Sequence, residues 1–218
     1  MTASLPKRAV AEGVGTALLL AAVVGSGIMA ARLSGGNVGL ALLANAIATG
    51  GALIAIIITF GPISGAHLNP IVTLVLGEGG PSVLAYIAAQ ILGALSGVFL
   101  AHAMFGLPIV EWSSHVRATP GEWLGEFVAT FGLIGLLLSG VRHVPAAMPY
   151  AVAAYITAAY WFTSSTSFAN PAVALARALT DTFAGIRPQD VPAFIAAEFA
   201  GAGTAALLFR WLLKEETR

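Results

Sequence analysis

The chain carries two copies of one pattern, and this internal repeat constrains its fold more than any other feature. Three stretches of the first half return in the second half at offsets of 101 to 114 residues: AEGVGT (11–16) as GEFVAT (125–130), SGAHLNP (64–70) as STSFANP (165–171), and AYIAAQILGAL (85–95) as AFIAAEFAGAG (193–203). A fold for this chain must therefore place two similar units side by side.

The segments around these motifs are apolar enough to cross a membrane. Hydrophobic residues make up 58% of the chain and charged residues 9%, against about 25% charged residues in a soluble domain. Six apolar runs approach the roughly 20 residues that a spanning helix needs: residues 8–33, 38–60, 82–105, 122–141, 146–163 and 191–213. Each half holds three spans, an odd number, so the second half enters from the opposite side and the repeat is inverted.

Two segments, 61–78 and 164–185, are too polar at their start to form further spans. Each begins with small and hydroxyl residues, continues with Asn-Pro and ends in a short apolar helical pattern. Pro favours the first turn of a helix, and a loop at membrane depth must be buried or line water. We therefore predict an all-α membrane protein with six transmembrane helices and two re-entrant half-helices. It forms a single channel domain over residues 1–218, with inverted repeats at about 8–105 and 122–213.

The two half-helices should meet near the membrane midplane and form the centre of a pore. Their N-termini carry positive partial charge, and Asn69 and Asn170 are good caps there, each with an NH₂ group to spare. The stretches before them leave carbonyl groups unpaired, which can line a path with acceptors. The residues expected there are Gly65, Ala66, His67, Leu68, Thr166, Phe168 and Ala169. Such a path repels cations and suits a neutral, hydrogen-bonding solute.

These residues resemble the aquaporin and aquaglyceroporin family of major intrinsic proteins. The resemblance covers about residues 8–213 and rests on AEGVGT, SGAHLNPIVT, AYIAAQILGA and SFANPAV. It implies a homotetramer with one pore per subunit, and it implies that Asn69 and Asn170 are the paired pore donors. It also implies that Glu12 and Glu126 are buried glutamates that brace the re-entrant loops. His67 matches the family's histidine two residues before the first Asn.

Two positions depart from the family pattern. Ile71 stands where the first motif usually has Ala, and Val173 stands where most of the family has an Arg at the outer constriction. Counting from the motifs, the four filter positions are Thr49, Ala158, Ser167 and Val173, none of them aromatic or charged. The resemblance thus implies a passive channel with a wide, arginine-less filter. Its solutes would be water, glycerol-like polyols, metalloid acids such as arsenite, and organic arsenicals, as in bacterial aquaglyceroporins linked to arsenic resistance.

Four other polar residues have more than one interpretation. Arg177 lies almost two helical turns after the second Asn-Pro, so it can line the outer vestibule or pair with Asp181 at i+4. His67 can line the pore, pack in the loop or bind a metal, although no Cys or Asp is nearby in sequence. Gln90 and Glu198, equivalent in the repeat, fit helix packing or loop bracing.

Other function classes find less support in the sequence. No Ser-His-Asp set, metal cluster or phosphate loop appears at a usable spacing, so we expect no enzyme activity, no cofactor and no metal. The formal net charge of zero gives no reason to expect a nucleic-acid partner. A proton-coupled secondary transporter, which also uses inverted repeats and broken helices, is an alternative, as is a poorly conducting structural membrane protein. The distribution of Lys and Arg favours cytoplasmic N- and C-termini, in a multi-pass protein of the bacterial inner membrane.

Overall fold

A computed structural model describes residues 3–77 and 79–214, and these residues form eight α-helices and no β-strand. The helices are α1 (Leu5–Leu33), α2 (Val38–Ser64), α3 (Pro70–Leu76), α4 (Pro81–Phe105), α5 (Pro120–His143), α6 (Met148–Phe162), α7 (Pro171–Arg177) and α8 (Val191–Leu212). The ends of the predicted 1–218 unit, and residue 78 of the first re-entrant segment, lie outside the described residues. The prediction of an all-α fold is confirmed.

Five of the helices, α1, α2, α4, α5 and α8, are long and apolar enough to cross a membrane. The remaining predicted span, 146–163, is shorter than expected. It consists of a 3₁₀ turn at Pro145–Ala147 and the 15-residue α6, which rises only about 22 Å. Pro149 lies in the first turn of α6, where its missing N–H is tolerated. In the other direction, α2 continues to Ser64, beyond its predicted end at residue 60.

The long helices pack in the same way in both halves. α1 lies along α4, with Gly93 against the backbone of Gly13, and α5 lies along α8, with Gly201 against the backbone of Phe127. A Cβ atom at either of these two glycines would collide with those backbone atoms, so the small residue permits the close approach. α2 packs on α1, α6 packs on α5, and α2 and α6 contact each other. The packing therefore follows the sequence repeat.

The half-helices α3 and α7 begin at the two Asn-Pro pairs. Pro70 and Pro171 lie in the first turn, and Asn69 and Asn170 are the N-caps, each accepting from the backbone N–H two residues later. α3 contacts α4 and α8, and α7 contacts α8 and α4. Each half-helix is thus held by the third long helix of both halves, which brings the two capped ends together between them.

Candidate functional site

A cavity of about 910 Å³ lies between the two halves of the chain. Both re-entrant loops and both half-helices contribute to its wall, and α6 runs along it from Met148 to Tyr160. We name its ends by the arginine that lines each: the Arg142 end, with Arg210 and Lys214, and the Arg177 end, with Thr49 and Tyr160. The cavity therefore reaches from the last turns of α5 and α8 past both half-helices.

Asn69 and Asn170 face each other across the centre of the fold. Nδ2 of Asn69 donates to the carbonyl oxygen of Ala169 at 2.7 Å, and Nδ2 of Asn170 donates to that of Leu68 at 2.8 Å. An amide NH₂ group has two hydrogens, so each side chain retains one donor after this cross-loop bond. Both side chains line the cavity. Each can therefore donate one hydrogen bond to a solute oxygen.

Glu12 of α1 is fully buried and holds the first re-entrant loop. Its Oε1 accepts from the backbone N–H of His67 at 2.9 Å, and its Oε2 accepts from that of Leu68 at 2.6 Å. The hydroxyl of Ser64 and Nε2 of Gln90 donate to the same carboxylate at 2.6 and 2.8 Å. Four hydrogen bonds from protein groups thus satisfy this carboxylate away from water.

Glu126 of α5 holds the second loop in the same way, with help from Glu198 of α8. Oε1 and Oε2 of Glu126 accept from the backbone N–H groups of Phe168 and Ala169 at 2.8 and 2.7 Å. Oε1 of Glu198 accepts from the backbone N–H of Asn170 at 2.9 Å. Both glutamates are fully buried. Glu198 therefore contacts the loop directly, whereas Gln90, its counterpart in the first half, acts through Glu12.

The braced loops contain backbone conformations that residues with a Cβ rarely adopt. The φ angle is +49° at Ala66 and +54° at Leu68 in the first loop, and it is +64°, +54° and +48° at Thr166, Ser167 and Ala169 in the second. Each such residue costs roughly 1–3 kcal/mol unless its surroundings hold it. The hydrogen bonds to the buried glutamates supply that restraint, and the strained turns present the loop carbonyls to the opposing asparagines.

Three of the four predicted filter residues, Thr49, Ser167 and Val173, line the cavity, but Ala158 does not. Ala158 is exposed on the other side of α6, and the cavity residue nearby is Tyr160, whose hydroxyl lies 3.2 Å from Oγ1 of Thr49. Two residues correspond to about 200° of helix rotation, and counting back from Asn170 crosses the irregular loop 163–169, whose length does not fix which face of α6 meets the cavity. An aromatic residue, Tyr160, therefore lines the cavity where Ala158 was expected.

Arg177 lines the same end of the cavity, but it is buried rather than placed at an open vestibule. It is 2% exposed, its Nε donates to the carbonyl oxygen of Ala184, and its Cζ lies 3.4 Å from the ring centroid of Phe168. The alternative ion pair with Asp181 does not form. That carboxylate accepts from the backbone N–H and hydroxyl of Ser114, and these bonds lower the pKa of Asp181.

The other residues expected along the path divide into two groups. The cavity is lined by Gly65, Ala66, His67, Leu68, Phe168 and Ala169, but not by Thr166. Nδ1 of His67 lies 3.2 Å from Oγ1 of Thr73, and its ring meets Tyr86 edge-on, so His67 also packs within the loop. Within the described part of the chain, no three His, Asp or Glu side chains come together as a metal site.

Sequence reasoning missed Arg117, in the connection between α4 and α5. Its Nη1 donates to the carbonyl oxygen of Ser165 at 3.0 Å, its Nε donates to that of Gly185 at 2.9 Å, and its Cζ lies 5.1 Å from the ring centroid of Phe168. The connection thus folds over the second re-entrant loop. The unusual length of this connection between two spans indicated that it could fold over the protein, but nothing in the sequence indicated which of its side chains would reach inward.

A helical membrane fold, two capped half-helices and a cavity past their asparagines define a membrane channel for small solutes. A family model described as Major intrinsic protein matches residues 1–143, more than half of the chain. The chain therefore belongs to the major intrinsic protein family, and it is an integral, multi-pass membrane protein.

Known relatives agree with this assignment. The chain is 54% identical over 214 residues to the aquaglyceroporin AqpS of Rhizobium meliloti (strain 1021), covering 96% of this chain and 91% of that protein. It is 34% identical over 181 residues to the probable aquaporin AqpM of Archaeoglobus fulgidus, covering 73% and 72% of the two chains. The X-ray structure of the aquaglyceroporin from Plasmodium falciparum shares the fold, with a TM-score of 0.69 at 20% identity over 95% of both chains.

Proposed function

We propose that this protein is a passive channel for water and for neutral solutes larger than water, because the wall at position 173 carries no arginine. This proposal rests mainly on one observation: Val173, like Ser167, lines the cavity, and it lies one turn of α7 from Asn170. A valine leaves free the space and the hydrogen-bonding positions that an arginine would take. The 54% identical relative is an aquaglyceroporin, which supports solutes of the glycerol class for this chain.

The composition of the wall supports the chemical class of the solute. Apolar side chains from several helices line most of the cavity, among them Leu53, Val72, Leu133 and Ile156. At its centre, the re-entrant loops supply polar groups, as carbonyl acceptors and asparagine donors. A polyol has carbon on one side and hydroxyl groups on the other, so it matches such a wall. Neutral arsenous acid, with three hydroxyl groups, presents a similar set of donors and acceptors, and small organic arsenicals extend the same class.

The test is permeability measured in proteoliposomes by stopped-flow light scattering, for water, glycerol, urea, arsenous acid and methylated arsenicals. Val173→Arg should reduce glycerol and arsenous acid flux by about tenfold or more, which corresponds to about 1.4 kcal/mol or more in barrier height. Water flux should fall less, because a water molecule needs less room. Val173→Leu, which adds bulk without charge, is the matched control. Equal loss for every solute in Val173→Arg would contradict this assignment of the filter.

The same liposomes separate a channel from the two alternatives. Flux through a passive channel follows the solute gradient, so it should be unchanged when the proton gradient is dissipated. Flux that stops with the proton gradient would favour a coupled transporter. Permeability no higher than that of protein-free liposomes, for water and for all solutes, would favour a structural membrane protein.

We further propose one channel unit per chain, a homotetramer, and cytoplasmic N- and C-termini in a bacterial inner membrane. Large apolar side chains exposed on the long helices support burial against lipid or another subunit, for example Leu84, Leu92 and Leu207. Native mass spectrometry from detergent measures the subunit number. Cysteine labelling of intact cells at added terminal cysteines measures the orientation, since the natural chain has no cysteine.

A further inference from the structure

Two arginine guanidinium groups lie on one aromatic ring at the Arg177 end of the cavity. Cζ of Arg177 is 3.4 Å from the ring centroid of Phe168, and Cζ of Arg117 is 5.1 Å from it. The negative face of an aromatic ring attracts a guanidinium. Backbone carbonyls also fix both side chains, at Ala184 for Arg177 and at Ser165 for Arg117. The two positive charges therefore have defined positions inside the protein.

Arg177 keeps donors available to the cavity. Only its Nε has a hydrogen-bond partner among the described residues, whereas Nη1 and Nη2 have none. The residue is 2% exposed and is part of the cavity wall. The free groups of this buried guanidinium are therefore presented to a passing solute.

Neither arginine forms an ion pair with a described carboxylate, although Glu126 attracts both guanidinium groups and Glu122 attracts that of Arg117. The ion pairs within residues 3–77 and 79–214 include neither Arg117 nor Arg177. Glu126, the buried carboxylate of the neighbouring loop brace, has each oxygen committed to a backbone N–H. A charge without an ion-pair partner in surroundings of low dielectric acts more strongly on a nearby ion than the same charge in water.

We propose that Arg177, backed by Arg117, is the cation barrier of this pore. A cation entering the Arg177 end meets two fixed positive charges where it must also lose water. A neutral solute meets no net repulsion, and its oxygen atoms can accept hydrogen bonds from Nη1 and Nη2 of Arg177. Because Arg177 lies one turn beyond Val173 on α7, the wall at position 173 stays open to larger solutes while cations are still excluded. This inference rests on the proposed passive channel for neutral solutes.

The cationic residues at the other end provide a matched control. Arg142, Arg210 and Lys214 also line the cavity, but all three are exposed. Salt and water screen exposed charges over about 10 Å, so these residues should contribute little to cation exclusion. Arg142→Gln therefore removes a positive charge from the same cavity without removing the barrier.

The experiment measures glycerol flux and proton leak in the same proteoliposomes, with an entrapped pH dye to follow protons and valinomycin in a potassium gradient to set the membrane potential. The variants are Arg177→Met, Arg177→Lys and Arg142→Gln. Met keeps an unbranched chain that can pack on Phe168, and Lys keeps the charge. We expect wild-type protein, Arg177→Lys and Arg142→Gln to pass glycerol without cation leak. Arg177→Met should pass glycerol and leak cations about tenfold or more above wild type, since each tenfold change is about 1.4 kcal/mol of barrier.

A second pair of variants keeps Arg177 and its contacts in place. Val173→Glu sets a carboxylate at i and the guanidinium at i+4 on α7, where opposite charges pair, whereas Val173→Gln has the same shape without charge. Val173→Glu should leak cations and Val173→Gln should not. If wild-type protein passes glycerol but neither Arg177→Met nor Val173→Glu leaks cations, the proposed cation barrier is overturned and the proposed channel is not. A wild-type protein that passes neither water nor any solute would overturn the proposed function together with this inference.

Discussion

Removing the carboxylate of Glu126 should abolish conduction while leaving most of the protein folded. Glu126 accepts from the backbone N–H groups of Phe168 and Ala169 at 2.8 and 2.7 Å, and it is fully buried. In Glu126→Ala, two buried donors lose their partner, at about 1–3 kcal/mol each. The braced conformation of the second re-entrant loop is therefore destabilised by about 2–6 kcal/mol.

The loop can recover part of this cost by changing shape. Ser167 and Ala169 have φ angles of +54° and +48°, and release of each returns roughly 1–3 kcal/mol. Because the cost and the recovery are similar, the second re-entrant loop should leave its braced conformation before the helices separate. The carbonyl of Ala169 then no longer faces Asn69, which loses its cross-loop partner. Conduction should fail because the pore centre is disordered, at only a moderate loss of overall stability.

The assay pairs glycerol flux, normalised to folded protein, with thermal unfolding in detergent. Glu126→Ala should lose at least about tenfold in flux, a barrier change of about 1.4 kcal/mol or more, with a lower melting temperature but a cooperative transition. Glu122→Ala is the control on the same helix. Its carboxylate accepts from Thr119 in the capping box of α5, so its loss costs about 0.3–1.5 kcal/mol of stability and leaves flux unchanged. Wild-type flux in Glu126→Ala would refute the bracing argument.

Three further predictions test other parts of the site. Tyr160→Ala should raise glycerol flux relative to water flux, whereas Ala158→Leu should change neither, and the reverse result would restore Ala158 as the filter residue. Asn69→Ala removes both the bond to the Ala169 carbonyl and the cap of α3, so water and glycerol flux should fall together, and retained flux would remove Asn69 from the pore centre. The hydrogen bonds from Ser114 lower the pKa of Asp181 in the folded protein, so the contribution of this carboxylate to stability is present above its unfolded pKa of about 4 and is lost as pH falls through the lower folded pKa. In Asp181→Asn, the melting temperature should therefore depend less on pH below about pH 4. An unchanged slope of melting temperature against pH would contradict this.

The parts of the molecule that repeat in sequence could be predicted, because the same motif occurs in both halves and each copy supports the interpretation of the other. The position of α3 and α7 followed from Asn-Pro at corresponding places, whereas the bracing role of the glutamates in α1 and α5 was implied by the resemblance to the family. Tyr160 could not be found by counting back from Asn170, because the irregular loop 163–169 between α6 and that residue does not fix which face of α6 meets the cavity. The position of Arg117 depends on how a connection without a repeat partner folds back, and local patterns do not encode that.

The two halves share backbone and bracing, so the differences between equivalent side chains must make the two ends of the pore different. At an offset of 101 residues, His67 corresponds to Phe168 and Leu76 corresponds to Arg177, and all four line the cavity. In the second half these two substitutions occur as a contacting pair, with the guanidinium on the ring. At the equivalent positions the first half has an imidazole, whose ring meets Tyr86 edge-on, and an uncharged leucine. An inverted repeat thus supplies a symmetric centre for hydrogen bonding, while two substitutions in one copy confine the buried positive charge to one end.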